Sequence, residues 1–348
     1  MEVTQFEELR KTVESEFEVE DGFMEYGIPT FYVKLRKDSK QAFLRLFKHL
    51  DATNFVPILR RKEEKVVLQV VGRPPVRPSR KIINIALLFA TIGTVFISGY
   101  YISQNFVSAV IFAAAIMAVL GSHEMGHKLF AGRHDVEATY PYFIPGIPPI
   151  GTFGAIIQQK SLPPNRDALF DVGFAGPVVG FLVSVVITII AFGLAIRVPE
   201  APPGAGAWPF PNPLLIEGLF VFVITFFPLS GSGNVILLPP TAVALLFAGW
   251  VGMLNTMLNL APVGQFDGGH IARGLVGKRA HRIISYLGIV LLAIIWYPMA
   301  LIAIFFSLRQ HPGPLDDVSQ PTTPRKLAAL ALIAIFIVSI VPIYPLLT

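Results

Sequence analysis

The chain reads as an all-α polytopic membrane protein. About six transmembrane helices and one re-entrant segment are expected, behind a small amino-terminal α/β domain on the cytoplasmic side. Three observations lead there. Only 15% of the 348 residues are charged and 53% are hydrophobic, with a mean hydropathy of +0.61, whereas soluble domains carry about 25% charge. The charge is segregated, the first 81 residues holding 29 of the 51 charged side chains. Beyond them, uncharged runs follow one another at 82–122, 172–196, 218–266, 283–308 and 327–348. About 20 apolar residues suffice to cross a hydrocarbon core, and buried helices of a large soluble enzyme would not leave so many successive runs.

In chain order, residues 1–80 form the soluble part. Phe6–Val13 is helix-like, Phe31–Leu35 and Lys65–Val71 are strand-like, and Gln41–Leu50 is an amphipathic helix following a cap at Ser39. Nothing in this domain has catalytic spacing, so its expected role is structural or regulatory. Residues 72–78, Gly-Arg-Pro-Pro-Val-Arg-Pro, form a stiff linker into the membrane. Residues 81–282 make the membrane core and 283–348 the carboxyl-terminal helices.

Spans are expected near 82–103, 106–130, 170–196, 241–262, 283–308 and 326–347. Arg73, Arg77, Arg80 and Lys81 precede the first span. Arg133, Lys160 and Arg166 lie between the second and third, and Arg273, Lys278, Arg279 and Arg282 follow the fourth. The basic loops fall on one side, which the positive-inside rule makes cytoplasmic. Leu214–Leu229 is apolar, but a full crossing there would reverse the fourth span. It is read as re-entrant, broken by Gly231, Gly233, Pro239 and Pro240.

Cysteine is absent, so any metal must be held by His, Asp or Glu. The net charge of +5 follows from loop topology and does not call for nucleic acid. The acidic amino terminus resembles neither a signal nor a transit peptide. The predicted partner from composition alone is therefore a lipid bilayer, the location being a cell membrane crossed several times.

The second span ends in His123-Glu-Met-Gly-His127. Positions i and i+4 of a helix share a face, so both imidazoles can reach one metal ion, with Glu124 beside them to take a proton from water. Ionisable groups at bilayer depth are costly and usually functional. The bland alternative is a pair of interfacial histidines with a snorkelling glutamate. A catalytic zinc site needs a third protein ligand and an open position. Asp267 is the candidate, in Asn259-Leu-Ala-Pro-Val-Gly-Gln-Phe-Asp-Gly268, where Pro262 and Gly264 break the helix in a protein-lined environment. Glu217 is the runner-up. His123 lies 18 residues beyond Asn105, about 27 Å along a helix, which puts both motifs at the same cytoplasmic level.

The paired motifs, His123-x-x-x-His127 around Glu124 and Asn259-x-x-Pro262-x-x-x-x-Asp267-Gly268, resemble the site-2 protease family of intramembrane zinc metalloproteases. Gly176-Pro177 and Gly151-Thr-Phe-Gly-Ala155 resemble it too, and the likeness covers residues 82–282. The resemblance implies one zinc ion held by His123, His127 and Asp267, with Glu124 as catalytic acid/base and Asn259 near the reacting carbonyl. It also implies a membrane-anchored protein as substrate, cut within or next to its transmembrane segment, and makes 81–282 the protease core. No inserted PDZ domain and no carboxyl-terminal CBS pair is expected.

Further expectations are less determined. Ala155, Ile156 and Ile157 are strand-like, and together with Gly154 could bind an unwound substrate by edge pairing; an ordinary loop lying on the membrane is the competing reading. His270 follows the Asp267 turn and could donate to a carboxylate, or be an ordinary interfacial histidine. His49, His134, His281 and His311 are assigned no chemistry. The alternative function is a metal-ion transporter using intramembrane His and Asp ligands, although a carrier has no need of Glu124.

Overall fold

The computed structural model describes residues 3–75, 80–202, 208, 210–295, 297–307 and 311–341. The amino-terminal part runs α1 (Val3–Glu14), β1 (Glu18–Glu25), β2 (Ile28–Lys34), α2 (Ser39–Asp51), β3 (Phe55–Lys62) and β4 (Lys65–Gly72). The four strands form one antiparallel sheet in the order β1-β2-β4-β3. Tyr26 and Gly27 join β1 to β2 with positive φ at both positions, the geometry that matches the twist of a two-residue hairpin. Val66, Leu68 and Val70 alternate onto the core face of β4, as period two requires. They meet Leu9 and Val13 of α1 and Phe43, Leu46 and Leu50 of α2, spaced along one helical stripe.

Two of these strands escape the sequence pattern. β1 is acidic and largely exposed, and β3 contains Pro57, which is tolerated because β3 lies at the sheet edge. Ser39 is not the cap of α2 either. Asp38 precedes the helix without a side-chain cap bond, and Ser39 Oγ accepts the Arg36 amide at 2.6 Å. Part of the predicted 72–78 linker, residues 76–78, lies outside the described residues.

The chain continues with α3 (Lys81–Ser103), α4 (Phe106–Arg133), β5 (Tyr142–Pro145), β6 (Thr152–Ile156), α5 (Arg166–Gly193), β7 (Ile196–Val198), α6 (Leu214–Phe226), β8 (Ser230–Gly231), β9 (Val235–Leu237), α7 (Pro240–Leu260), α8 (Asp267–Ile295), α9 (Tyr297–Ser307) and α10 (Thr323–Ser339). Among the described residues, α3, α4, α5 and α7 are long and apolar enough to cross a membrane. Asn105 and Asn165 cap α4 and α5, their side-chain oxygens accepting the Ser108 and Ala168 amides at 2.9 Å each.

α5 packs against α4, α7 and α8, and small residues set how closely. A Cβ on Gly126 would stand 2.8 Å from the Ala175 carbonyl oxygen, and one on Gly252 would stand 2.0 Å from Ser184 Oγ. Where a bilayer offers helices no hydrophobic driving force between them, such small residues permit the packing that holds a bundle together. The region predicted as one span over 283–308 falls in the second part of α8 and in α9. α8 itself is interrupted at Gly277, whose φ is 80°. The last expected span begins with α10, and residues 342–347 of it lie outside the described residues. α6 has 13 residues, about 20 Å of helix, against a hydrocarbon thickness of about 30 Å.

Candidate metal centre

The last three turns of α4 and the first turn of α8 meet on one face of α5. His123 and His127 are buried on α4, four residues apart. Opposite them α5 carries Gly176 and Gly180, with the same spacing. A Cβ on Gly176 would stand 2.1 Å from His127 Nε2, and one on Gly180 would stand 3.1 Å from His123 Nδ1. The two glycines thus leave the space the imidazoles occupy.

Asp267 arrives from the break between α7 and α8. Ala261 and Pro262 end α7, and Gly264 takes a positive φ of 51°. Gly268 and Gly269 pack on the carbonyls of Leu260, Ala261, Val263 and Gly264 at distances that no Cβ could share. The chain can therefore turn tightly and start α8 with its carboxylate aimed at α4.

Three ligand atoms converge. His123 Nε2 and His127 Nε2 are 3.1 Å apart. Asp267 Oδ2 is 3.2 Å from the first and 3.1 Å from the second. A four-coordinate zinc with bonds of about 2.0–2.1 Å places its ligand atoms about 3.3 Å apart, so the triangle fits such an ion within a few tenths of an ångström. The donor set fits as well, with two imidazoles, one carboxylate and no thiolate. His127 Nδ1 donates to the Val172 carbonyl at 2.7 Å, which fixes the tautomer and leaves the Nε2 lone pair for a metal. These three residues form the one metal-competent group found among the described residues.

Glu124 is buried beside the triangle, its Oε1 4.0 Å from His123 Nε2. α4, which carries Glu124, packs against β6. Asn259, near the end of α7, brings Nδ2 to 3.4 Å from His123 Nε2 and to 3.3 Å from Asn255 Oδ1. Gly154 and Ala155 pair with Ile144 and Phe143 of β5, and Ile156 pairs with Tyr142. Ile157 follows immediately. β5 and β6 form a two-stranded sheet, so among the described residues the other edge of β6 carries no strand.

Several expectations change. Glu217 accepts a hydrogen bond from Asn212 at 2.7 Å and is not in the three-residue group. Among the described residues, His270 has no hydrogen bond to a carboxylate. Its Nδ1 sits 2.6 Å from His311 Nε2, and the separation of 41 residues hid that pairing. His281 is buried beside Ser285, 3.3 Å away, and His134 pairs with Asp171 at 2.9 Å. Arg273, buried to 1% exposure, went unnoticed in the sequence because it looked like one more basic loop residue.

Comparison with known proteins follows the same region. The model of peptidase family M50 matches residues 111–295, which carry both motifs and amount to more than half of the chain. Curated relatives include "Probable zinc metalloprotease EGY1, chloroplastic" of Arabidopsis thaliana, 34% identical over 168 residues, covering 48% of this chain and 30% of that protein. "Probable zinc metalloprotease EGY2, chloroplastic" of Oryza sativa subsp. indica is 31% identical over 222 residues, 61% of this chain and 38% of that one. "Probable zinc metallopeptidase EGY3, chloroplastic" of Arabidopsis thaliana is 30% identical over 236 residues, 60% and 39% of the two chains. The chain thus spans between 30% and 39% of the length of these relatives. No solved structure matches. With both motifs inside the matched segment and their side chains converging on one point, the chain belongs to peptidase family M50.

Proposed function

We propose that this protein is an intramembrane zinc metalloprotease that hydrolyses peptide bonds within or next to the transmembrane segments of membrane-anchored proteins. The observation that carries this reading is the triangle of His123, His127 and Asp267, with edges of 3.1–3.2 Å and Glu124 beside it. It lies at the end of an apolar helix long enough to span a bilayer. Zinc, when bound, supplies a Lewis acid that polarises a carbonyl and makes water easier to deprotonate.

The chain's own residues do the rest. Glu124 takes the proton of the attacking water and delivers it to the leaving amine. The Asn259 amide donates toward the oxygen on which negative charge develops. A helical substrate has its carbonyls hydrogen-bonded internally and must unwind first. Gly154, Ala155, Ile156 and Ile157 receive the unwound strand on the open edge of β6, and the packing of β6 against α4, which carries Glu124, supports that reading.

The same reading divides the chain into a soluble cytoplasmic domain at 1–80, the protease core at 81–282 and carboxyl-terminal helices at 283–348. It makes α6 a re-entrant segment and opens the site to the cytoplasmic side of a cell membrane. The transporter alternative finds no support, because a carrier needs ligands along a path and one group alone is found among the described residues. The test is metal analysis of purified protein together with cleavage of a membrane-anchored substrate in vesicles of known orientation. One zinc per chain and product release on the cytoplasmic face are expected. Metal-free protein that still cleaves would end the proposal.

A further inference from the structure

A second concentration of buried charge lies beside the metal centre, where residues 311–319 run between the edge of the amino-terminal sheet and the first turns of α8. On the sheet side, the Leu59 amide of β3 donates to the Leu315 carbonyl at 3.0 Å, and the Asp317 amide donates to the Leu59 carbonyl at 3.2 Å. Arg60 Nη1 donates to the same Leu315 carbonyl at 2.6 Å. The Leu315 and Asp316 amides in turn donate to the carbonyls of Pro163 and Pro164 at 2.8 and 2.9 Å, next to the Asn165 cap of α5. The segment thus makes isolated parallel bridges through Asp316, to Leu59 of the amino-terminal domain on one side and to Asn165 of the helical core on the other.

Two side-chain pairs carry it onto α8. His311 Nδ1 accepts the Gly313 amide at 2.9 Å, and burial pushes its imidazole down to about 2. Neutral His311 therefore keeps its proton on Nε2 and donates to His270 Nδ1 at 2.6 Å. Asp317 takes both Nη groups of Arg273, at 2.7 and 2.6 Å, the planar bidentate pairing that fixes orientation as well as charge. Gly313, with φ of +74°, allows the backbone to lie on that guanidinium, since a Cβ there would stand 2.5 Å from Nη2.

His270 and Arg273 follow Asp267 by three and six residues on the same short limb, which ends at Gly277. Arg166 of α5 holds the far end, donating to the carbonyls of Gly274 at 2.8 Å and Leu275 at 3.1 Å. A limb of about ten residues that presents a metal ligand in its first turn is thereby held at three points. Buried pairs of this kind add little net stability, but they can specify geometry.

We propose that Arg273, seated by Asp317, is a positioning residue for Asp267, and that the 311–319 strap makes the amino-terminal domain part of the framework of the metal centre. This rests on reading Asp267 as a zinc ligand. The full-length protein is titrated with zinc against a chelator of known affinity, and kcat and KM for cleavage are measured on the zinc-saturated form. Arg273→Met should weaken zinc binding by about 10- to 100-fold, as removal of outer-shell partners does. Arg273→Lys, which keeps the charge but loses the fork, should fall between that and wild type.

Arg60→Met on the distant sheet edge should weaken zinc binding by about 2- to 30-fold, the range of coupling through packed networks, and lower kcat with KM unchanged. Arg45→Met, on the same domain but paired with Glu16, should change neither. If Arg273→Met does not fold, Arg60→Met decides. Wild-type zinc affinity and kcat in folded Arg60→Met, with wild-type binding abolished by His123→Ala, overturn the proposal and leave the protease reading standing. Zinc binding that survives His123→Ala in the wild-type background removes both.

Discussion

The membrane core and the amino-terminal domain solve the problem of holding side chains in place by opposite means. The domain uses ordinary binary patterning, with Val66, Leu68 and Val70 facing Phe43 and Leu46 while surface pairs such as Lys62–Glu25 stay in solvent. Its core is replaceable in kind, since apolar residues of similar volume would pack there. The core around α4 and α5 tolerates no such exchange. Gly126 and Gly176 are places where side-chain volume is forbidden, and Gly180 is one where it is tight, because His123 and His127 must fit between two helices. One region spends apolar area on stability, and the other gives up packing volume to position polar groups in a place where they are expensive.

The contrast breaks most sharply at Glu124. Glu124→Gln keeps the shape and the three ligands but removes the base, so cleavage should fall by about 10²- to 10⁴-fold, the usual contribution of general acid–base catalysis, while metal analysis still finds one zinc. A variant that cuts at a rate near wild type would return Glu124 to the ranks of packing residues. Asp267→Ala comes next. It should lose most of the metal on dialysis, whereas Glu217→Ala should keep it, since Glu217 bonds Asn212 instead. Retention of full zinc by the Asp267 variant would hand the third position to another residue.

The glycine pair grades the comparison further. Gly176→Ala puts a methyl 2.1 Å from His127 Nε2, but Gly180→Ala meets His123 at 3.1 Å, a contact that small shifts can relieve. Zinc affinity should drop by about 10- to 100-fold in the first, in line with displacement of a ligand's support, and hardly at all in the second. Equal losses would mean that the helix spacing, and not the ring positions, sets the site.

Much of this was legible because helical spacing converts directly into geometry. His123 and His127 at i and i+4 announce a shared face, and a break after an apolar span announces where Asp267 can turn inward. Gly176 stood out in the sequence only as part of a Gly-Pro pair, and the space that it and Gly180 leave for the imidazoles shows only once α4 and α5 are packed together. What stayed hidden depends on partners far away in sequence. β3 reads poorly as a strand because Pro57 interrupts it, and only its edge position makes it one. His270 and His311 have no local signal for each other, and Asp316-Asp317 looks like a solvated acidic pair. Yet Asp316 is fully buried, its Oδ1 accepting the Val318 and Ser319 amides at 2.9 Å each. Periodicity reports which face an element buries, and it is silent about which loop will cover it.

The substrate edge is the next test in size. Proline at Ile156 or Ile157 removes one backbone donor. Whichever of the two faces the open edge of β6 should lower cleavage several-fold, on the order of the loss of one hydrogen bond worth about 1 kcal/mol, with zinc content unchanged. If both variants are folded, zinc-loaded and fully active, substrate does not pair with β6.

The smallest effect on activity should come from the domain core, and it asks whether the two regions are independent at all. Val70→Ala removes two buried carbons from the central strand β4, where Val70 is 1% exposed. At about 0.8 kcal/mol per buried methylene, the loss is about 2 kcal/mol once the cavity is included. A domain stable by 5 kcal/mol or more still leaves nearly all molecules folded at 25 °C, so cleavage there should stay within about twofold of wild type. In a unit of this size, 1 kcal/mol moves the unfolding midpoint by about 4–8 °C, so the domain should melt roughly 10 °C lower. Leu59 of β3 exchanges two backbone hydrogen bonds with the 315–317 segment, and that segment holds Arg273 through Asp317. Loss of the sheet should therefore loosen the limb that bears Asp267, and the thermal midpoint of cleavage should fall by the same interval as that of the domain. Cleavage that survives above the domain's own transition would mean that the two regions share a chain and an interface but no mechanical link.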